Sequence, residues 1–547
     1  MRTSFFAVIC LSFVGLTQVC SATDQPAPRF VRQRLNDFVA DPAKLGSLVR
    51  GVTEMKRRNS ALKDSAEYRT SWEYWAAIHG CIGQPPACNG TVEQIKDFLR
   101  GRFPDFPLYE GFYVGLTNMS APDDLATRLW ATCEHGRPAP YFLPWHRMYL
   151  YWFERTLRKA SGDPNFALPY WDYTSATPAT VPEQSPWRLP TAFVCNPTAP
   201  CNNPLSETRR TGNFGLSVQL DTVDTNIDGD LANPAFADFT ARIEGGIHAH
   251  VHCAVGNGCR TPYLGVVPLA ANDVLFWHHH SNIDRLWECW RNKHGSDVPE
   301  LPATAAWQDW LSAEFSFVDE NGDEKKMSVG QLFAADGPID YTYDNVEKCL
   351  RQDGPVMTAD ASNSRTARPK PAPRIDIATA EQLRITLPEQ EVALTSVQDS
   401  NADEARARIR SAGPMFSQAF LTLEGMSVEG SPGASVRVSL VDPASKREVF
   451  IGVLGFFGLE QMQHKGHPHR GDDASAEGGN QVFDITSPLR ELVAQGGAPQ
   501  DVRVKFTATT GLVGDSSTAA EARSASEAQY RSAGVSFRKL RIQVERP

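Results

Sequence analysis

Histidine is concentrated in two stretches of this chain, residues 135–146 and 248–280. Of the 13 histidines in 547 residues, nine lie before residue 281, at positions 79, 135, 146, 248, 250, 252, 278, 279 and 280. Neutral imidazole is the commonest side-chain ligand of copper, zinc and iron. The residues between these histidines are aromatic rather than acidic, as in Phe142-Leu-Pro-Trp-His146. The pattern therefore predicts a buried metal site rather than a solvated polyhistidine tract.

The second stretch has the spacing of two ligands on one helix. His248 and His252 are four residues apart, so on a helix their side chains lie on one face. Glu244, four residues before His248, shares that face. The His-Glu-x-x-His pattern of zinc proteases is absent, which removes a common alternative for two histidines at this spacing.

The first stretch cannot be a single helix. His135 and His146 would lie about 16 Å apart along a helix axis, and Pro138, Pro140 and Pro144 would interrupt it. We therefore expect His135 on a loop and His146 at the start of the following helix. Both can bind one ion only if the loop folds back.

An all-imidazole ligand set favours copper. Six histidines in two sets of three, without carboxylate or thiolate ligands, fit two copper ions that each keep an open position. Two adjacent cuprous ions can deliver two electrons together to O2, and aromatic walls keep water out of such a site. A zinc hydrolase, which needs about three protein ligands and a bound water, is an alternative that metal analysis would test.

Helices must position these histidines. One predicted helix runs from residue 146 to 159, because four residues recur on one of its faces: His146, Leu150, Phe153 and Leu157. A second covers residues 279–291, where Ile283, Leu286 and Trp290 form a row in line with His279.

The composition divides the chain into parts. Residues 23–354 are rich in aromatic side chains and predict a mainly α domain with long proline-containing loops. Residues 355–412 are rich in Ala, Ser, Arg and Pro, which predicts an exposed linker and a cleavage zone for an activating protease. Residues 413–547 alternate apolar and polar side chains, which predicts a small antiparallel β-sandwich or barrel.

Length, charge and the first residues limit the function classes. The length predicts two domains, and 41% hydrophobic with 22% charged residues is typical of a soluble globular protein. A net charge of -10 argues against nucleic acid and anionic membranes as partners. Residues 1–22 have the basic start, short apolar run and small-residue end of a cleaved secretory signal, so we expect a secreted protein.

The cysteines suit an oxidising compartment. Two of the 11 lie in the predicted signal, at positions 10 and 20. Three predicted disulfides join cysteines that are close in sequence, and a fourth pair is more distant: Cys81 with Cys88, Cys195 with Cys201, Cys253 with Cys259, and Cys289 with Cys349. Cys133 is left over, two residues from His135, and a leftover cysteine in a secreted protein needs an explanation.

These motifs together resemble the type-3 copper family of tyrosinases and catechol oxidases. The resemblance covers most of residues 70–300 and rests on the segments around His79, Phe142-Leu-Pro-Trp-His146-Arg, His248-x-x-x-His252, and Asp273 to Arg285. It implies an antiparallel helix bundle that holds two copper ions, with O2 as co-substrate. It also implies His79, His135 and His146 as ligands of the first copper, and His248, His252 and His280 as ligands of the second. The register from Asn282 selects His280 over His279, which is left as a neighbour of the site.

The resemblance extends beyond the ligands. Cys133 lies where many members form a cysteine–histidine thioether, here with His135. Tyr341-x-Tyr343 resembles the tyrosine motif that closes the oxidase domain, held by an arginine for which Arg32 and Arg34 are candidates. The C-terminal β region is similar to the shielding domain of plant-type polyphenol oxidases, which are latent until the shield is displaced. Phe456 or Phe457 is expected to cover the entrance, and His464, His467 and His469 lie in a loop of unassigned role.

The implied reaction is the oxidation of small phenols, o-diphenols to o-quinones. Hydroxylating members are thought to use a Glu with an Asn after the first histidine of the second copper; here Glu244 is present, but Ala249 replaces the Asn. Alanine offers no side-chain hydrogen bond, so we expect weak or absent monophenol hydroxylation. Val267 stands where some members carry a bulky Phe gate, which favours easier entry. A full tyrosinase, an o-aminophenol oxidase and a hemocyanin-like oxygen carrier remain alternatives.

Overall fold

The computed structural model describes most of the helical and β parts of the chain. The described ranges are 29–79, 100–101, 141–175, 185–195, 201–294, 305–334, 337–346, 373–386, 388–411, 418–429, 432–458, 480–499, 501–514 and 534–545. Several residues with predicted roles lie outside them: Cys81, Cys88, Cys133, His135, Cys349, His464, His467 and His469. Residues 1–28, which include the predicted signal, lie outside them as well.

The first part of the chain is mainly helical, as predicted. Its helices are α1 (Leu35–Ala40), α2 (Pro42–Arg57), α3 (Ala66–Arg69), α4 (Trp72–His79), α5 (Phe142–Ser161), α6 (Asp228–Ala232), α7 (Phe236–Ile243), α8 (Ala249–Val255), α9 (Val274–His294) and α10 (Ala305–Ser312). A π-helix, Glu244–His248, joins α7 to α8, and 3-10 turns cover Arg58–Ser60, Thr191–Phe193, Tyr263–Gly265, Val267–Asn272 and Val329–Leu332. The helix predicted from His146 is α5, and α9 contains the second predicted helix.

Short strands accompany these helices. They are β1 (Phe30–Arg32), β2 (Val218–Leu220), β3 (Glu314–Val318), β4 (Glu324–Ser328) and β5 (Tyr341–Tyr343). β1 pairs with β5 in parallel, so both ends of the helical part are tied together, and β3 with β4 forms an antiparallel hairpin.

Helix α5 lies at the centre of the helical part. It ends at Gly162, which takes the left-handed conformation (φ 70°) common after a helix C-terminus. Helix α2 packs closely against it at Gly51, where a Cβ would lie 2.7 Å from a Leu157 methyl carbon. A single core of buried aromatic and aliphatic side chains surrounds both helices.

The second part of the chain is antiparallel β, also as predicted. Its strands are β6 (Arg374–Ile385), β7 (Glu389–Ala393), β8 (Thr395–Ser396), β9 (Ala419–Glu424), β10 (Ser427–Val428), β11 (Ser435–Val441), β12 (Glu448–Leu454), β13 (Gln481–Asp484), β14 (Arg503–Thr509), β15 (Leu512–Gly514) and β16 (Val535–Glu545), with helices α11 (Ser400–Ser411) and α12 (Thr486–Ala494). One sheet has the order β13-β9-β16-β6-β8, with β10 beside β16, and the other has the order β12-β11-β14-β7. Both sheets contribute to a second core.

The linker predicted at 355–412 is too long, which corrects its boundary. Residues 355–372 lie outside the described residues, but β6, β7 and α11 fall within the predicted linker. β6 pairs with β16 over most of its length, and β7 pairs with β14. The β domain therefore begins near residue 373 rather than 413, because strands that close its sheets come from the segment assigned to the linker.

The two parts of the chain are in contact. β15 of the β domain pairs with β2 of the helical part. Arg437 on β11 donates to Asp221 at 2.6 Å and also pairs with Asp224, whose carboxylate accepts from Thr509 at 2.7 Å. Among the described residues, every helix is too short or too polar to cross a bilayer.

Candidate metal centre

Five elements bring the predicted ligands together. His79 is the last residue of α4, His146 lies in the first turns of α5, His248 ends the π-helix, His252 lies on α8, and His280 lies on α9. All five are buried. His135, the sixth predicted ligand, lies outside the described residues.

The imidazoles form two overlapping groups. Ligand atoms of His79, His146 and His280 lie within 4.8 Å of one another, and so do those of His248, His252, His279 and His280. His280 belongs to both groups, and its Nε2 is 3.4 Å from His252 Nε2. Segments that are far apart in the sequence thus meet at one place.

Backbone carbonyls fix the orientation of the rings. The Nδ1 atoms donate to nearby carbonyl oxygens: His79 to Val267 O at 2.8 Å, His146 to Phe142 O at 2.9 Å, His248 to Glu244 O at 3.1 Å and His252 to Leu264 O at 2.7 Å. A metal-bound histidine commonly donates its outer ring N–H in this way. In these four residues Nε2 is therefore the nitrogen that can bind metal.

The site favours the neutral form of three of its imidazoles. Burial, together with the neighbouring histidines, lowers the pKa of His252, His279 and His280 well below the ordinary value. A neutral imidazole is the form that binds metal. An enclosed, all-nitrogen donor set fits copper, and neither ligand group contains a carboxylate or a thiol from the described residues.

Aromatic rings enclose the imidazoles. Phe142 lies 4.6 Å from His146 and 4.7 Å from His248 between ring centroids. Phe276 lies 4.1 Å from His280 and 4.7 Å from His79. Both phenylalanines are themselves buried, so they form part of the apolar surroundings of the imidazoles.

His279 lies closer to the site than the family register implied. Its ring is parallel to that of His248, with centroids 5.4 Å apart, and its Nδ1 is 2.8 Å from the Tyr173 hydroxyl. The alignment of His279 with Ile283 and Trp290 was the sequence signal for this position. Tyr173 carried no such signal.

The residues considered for phenol chemistry lie beside the second group. Glu244 begins the π-helix, and burial raises its pKa to about 7. Ala249 follows His248 and is buried. Val267 is buried as well, and its carbonyl oxygen accepts a hydrogen bond from His79. That backbone role could not be seen in the sequence.

A buried hub ties the two central helices together. Asp284 on α9 accepts from Arg147 on α5 at 2.6 Å, from Tyr341 at 2.7 Å and from Tyr343 at 2.6 Å. Arg32 donates to the Tyr343 hydroxyl at 2.8 Å and to Asp284 at 3.4 Å. Of the two arginines considered for the tyrosine motif, Arg32 is therefore the one in contact with it.

Two of the four predicted disulfides lie among the described residues, Cys195–Cys201 and Cys253–Cys259. The second joins Cys253, which follows His252 on α8, to Cys259 in the loop after that helix. Cys289 is also disulfide-bonded, and Cys349, its expected partner, lies outside the described residues.

The remaining predicted disulfide is not tested by the structure. Both of its cysteines, Cys81 and Cys88, lie outside the described residues, shortly after His79 and the end of α4. The bond between Cys81 and Cys88 therefore stays a prediction.

Phe457 of the β domain covers the second group of histidines. Its ring stacks on His252 with centroids 3.9 Å apart and planes 8° apart, and lies 5.7 Å from His248. Phe456 is buried in the core of the β domain instead. Of the two phenylalanines considered for the entrance, Phe457 is the one at the site.

Comparisons with known proteins agree with this geometry. The family described as the common central domain of tyrosinase matches residues 69–223 and 196–293, and the polyphenol oxidase middle domain matches 307–352. A domain family of unknown function matches 375–518.

Curated relatives include bacterial and plant proteins. A tyrosinase, HcTyr1, from Hahella sp. is 26% identical over 84% of this chain and 92% of its own length. The latent form of polyphenol oxidase from Prunus armeniaca is 29% identical, over 38% of this chain and only 37% of its own length. Among solved structures, a latent aurone synthase (polyphenol oxidase) matches with a TM-score of 0.53 at 17% identity, covering 96% of this chain and 91% of that one. This last likeness concerns the fold.

Proposed function

Because this chain belongs to the type-3 copper polyphenol oxidase family, we propose that it oxidises o-diphenols to o-quinones while O2 is reduced to water. The observation that carries the proposal is the convergence of buried imidazoles from five separate elements. A pair of bound copper ions supplies the two-electron chemistry with O2.

Six histidines would hold the two ions. We propose His79, His135 and His146 for the first and His248, His252 and His280 for the second. The carbonyls of Val267, Phe142, Glu244 and Leu264 hold four of these rings in place. Phe142 and Phe276 exclude water from the reacting atoms. We also retain the Cys133–His135 thioether as a proposal.

The position of Phe457 supports a latent state and a binding mode for substrate. Its ring already lies flat against His252, so a phenol ring of similar size can stack there once Phe457 has moved away. While Phe457 is in place, substrate and ring compete for the same volume. We therefore propose that the β domain inhibits the enzyme, and that a protease acting between residues 355 and 372 can release it.

Diphenols are the preferred substrates in this proposal. Ala249 has no polar side-chain atom with which to hold a water or a phenol proton beside Glu244. A diphenol needs less help, because it is the more acidic and more easily oxidised substrate. Full tyrosinase activity is the second candidate, since the relative matched over 92% of its length is described as a tyrosinase. The small side chain of Val267, in place of a Phe ring, also favours entry of monophenols.

The proposal extends to location. The first 22 residues support secretion, whereas the plant relatives are described as chloroplastic. Tracking the mature N-terminus of protein isolated from the culture medium and from cells would test secretion directly.

Copper analysis and a substrate panel test the function. We expect two copper atoms per chain and little hydroxylation of tyramine or tyrosine. We also expect catechol oxidation to increase after trimming, that is, after proteolytic removal of the β domain. Ala249→Asn in trimmed protein should raise the ratio of monophenol to diphenol turnover. Rapid tyramine hydroxylation without lag by the trimmed wild type would replace the diphenol proposal by the tyrosinase one, and fewer than two copper atoms would contradict both.

A further inference from the structure

The β-domain segment that covers the site rests on the helix backbone. This docking segment, residues 453–457, consists of the last two residues of β12 and the three residues after it, and it ends at Phe457. The Gly455 N–H donates to Gly245 O at 2.8 Å, and Arg242 donates to Val453 O at 2.9 Å. The segment is thus held by direct contact with the π-helix and with the end of α7.

Gly455 approaches Ala249 so closely that neither residue has room to grow. A Cβ added at Gly455 would lie 2.5 Å from Ala249 Cβ, 2.5 Å from His250 N and 2.6 Å from Ala249 C. Two of these neighbours are backbone atoms of α8, which cannot swing aside. Ala249 itself is only 2% exposed, so atoms beyond its Cβ would displace the segment.

We propose that Ala249 and Gly455 are a size-matched docking pair. Through this pair, the size of the residue that follows His248 also determines whether the docking segment can close over the site. This inference rests on the proposed function for its consequence: position 249 is where hydroxylating relatives are expected to carry a larger, polar residue. A chain that keeps this closed state cannot carry such a residue there. Substrate preference and latency are therefore coupled at one position.

Not every glycine between the two parts of the chain is packed as tightly. At Gly229, which also faces the β domain, an added Cβ would make ordinary contacts of 3.6 Å with Ile451 O and 3.7 Å with Asp484 O. The β domain is attached elsewhere through the β2–β15 pairing and the Arg437–Asp224 ion pair. A larger side chain at 249 or 455 therefore shifts the docking segment and leaves the domain attached.

Three substitutions in the full-length, copper-loaded chain test the pair: Gly455→Ala, Ala249→Asn and the control Gly229→Ala. The first measurement is amide hydrogen exchange across residues 453–457, which requires no turnover. The second is the ratio of catechol oxidation before and after trimming. Gel filtration reports whether the β domain remains attached after cleavage of the linker.

We expect exchange at residues 453–457 to rise at least about tenfold in Gly455→Ala and Ala249→Asn and to stay at the wild-type rate in Gly229→Ala. The untrimmed activity of Gly455→Ala should approach that of trimmed protein, with the β domain still attached. Wild-type exchange and latency in a folded Gly455→Ala protein would overturn the inference. If exchange rises but trimmed wild type does not oxidise catechol, the docking pair stands and the proposed function fails.

Discussion

Replacement of Asp284 by Asn should loosen the metal centre from a distance. Asp284 is fully buried and accepts four hydrogen bonds, from Arg32, Arg147, Tyr341 and Tyr343. Arg147 follows His146 on α5, and Asp284 lies one turn after His280 on α9. The carboxylate therefore fixes the spacing of two helices that carry ligands of both groups.

The magnitude follows from the geometry of the four donors. Oδ1 accepts from Arg147, whereas Oδ2 accepts from the other three. An Asn amide has one oxygen, so in either orientation its NH2 group faces a donor and an arginine loses one of its two carboxylate partners. Arg32 keeps Glu154 and Arg147 keeps Glu288, so the cost of about 3–5 kcal/mol for breaking a buried ion pair is an upper limit here. Loss of an outer contact of a metal site commonly weakens metal binding roughly 10–100-fold.

Urea unfolding of the metal-free chain and copper release to a chelator measure the two effects. The control is Glu67→Gln, which removes a solvent-exposed partner of Arg57 and should cost less than about 1 kcal/mol. Asp284→Asn within about 1 kcal/mol of wild type, with unchanged copper release, would show that the hub does not organise the site.

The same residue gives a pH dependence. Burial alone would raise the pKa of Asp284, but Arg147 and Arg32 outweigh it and hold the pKa below the ordinary value. The carboxylate therefore stabilises the folded state above its unfolded pKa of about 3.9. That contribution is lost as the pH falls through the lower, folded pKa. Wild type should lose more stability than Asp284→Asn in this acid range.

Three further substitutions test contacts at the site and its cover. Phe457→Ala should raise catechol oxidation by the untrimmed chain, because it removes the ring stacked on His252. Phe456→Ala should mainly destabilise the β domain, by about 3–5 kcal/mol. A chain that carries both substitutions and stays latent would contradict the covering role. Tyr173→Phe should lower the free energy of unfolding by about 1–2 kcal/mol, because the buried Nδ1 of His279 loses its partner; an unchanged urea midpoint would show that this hydrogen bond contributes little.

Much of the helical architecture could be predicted because its signals are local. The recurrence of His146, Leu150, Phe153 and Leu157 predicted the central face of α5, and those residues are buried there. The spacing of His248 and His252 predicted neighbouring rings, and their centroids are 4.6 Å apart.

The features that escaped prediction depend on distant partners. β6 has no clear alternation of buried and exposed residues, since its stability comes from pairing with β16, which lies at the far end of the chain. The contact of Val267 O with His79 and that of Tyr173 with His279 are likewise set by tertiary packing. The family register selected His280 as a ligand. It did not show that the packing of α9 places both His279 and His280 beside the other histidines of the second group.

The β domain also supports the helix that it covers, and this gives a final prediction. Gln481 donates to Ala241 O at 3.1 Å and accepts from Arg242 at 2.9 Å, next to the π-helix that ends at His248. Each such hydrogen bond contributes about 0.5–1.5 kcal/mol. Gln481→Ala should therefore accelerate copper release from the untrimmed chain, although residue 481 contacts none of the proposed ligands.

The matched control for this prediction is Gln495→Ala, which removes an exposed glutamine that pairs with Arg447 within the β domain. If the β domain only covered the site, Gln481→Ala would open the site, but its rate of copper release would equal that of Gln495→Ala. Faster copper release from Gln481→Ala than from Gln495→Ala would mean that the β domain supports the second group of histidines. Trimming would then activate the enzyme and at the same time remove this support. Equal release rates would contradict this support.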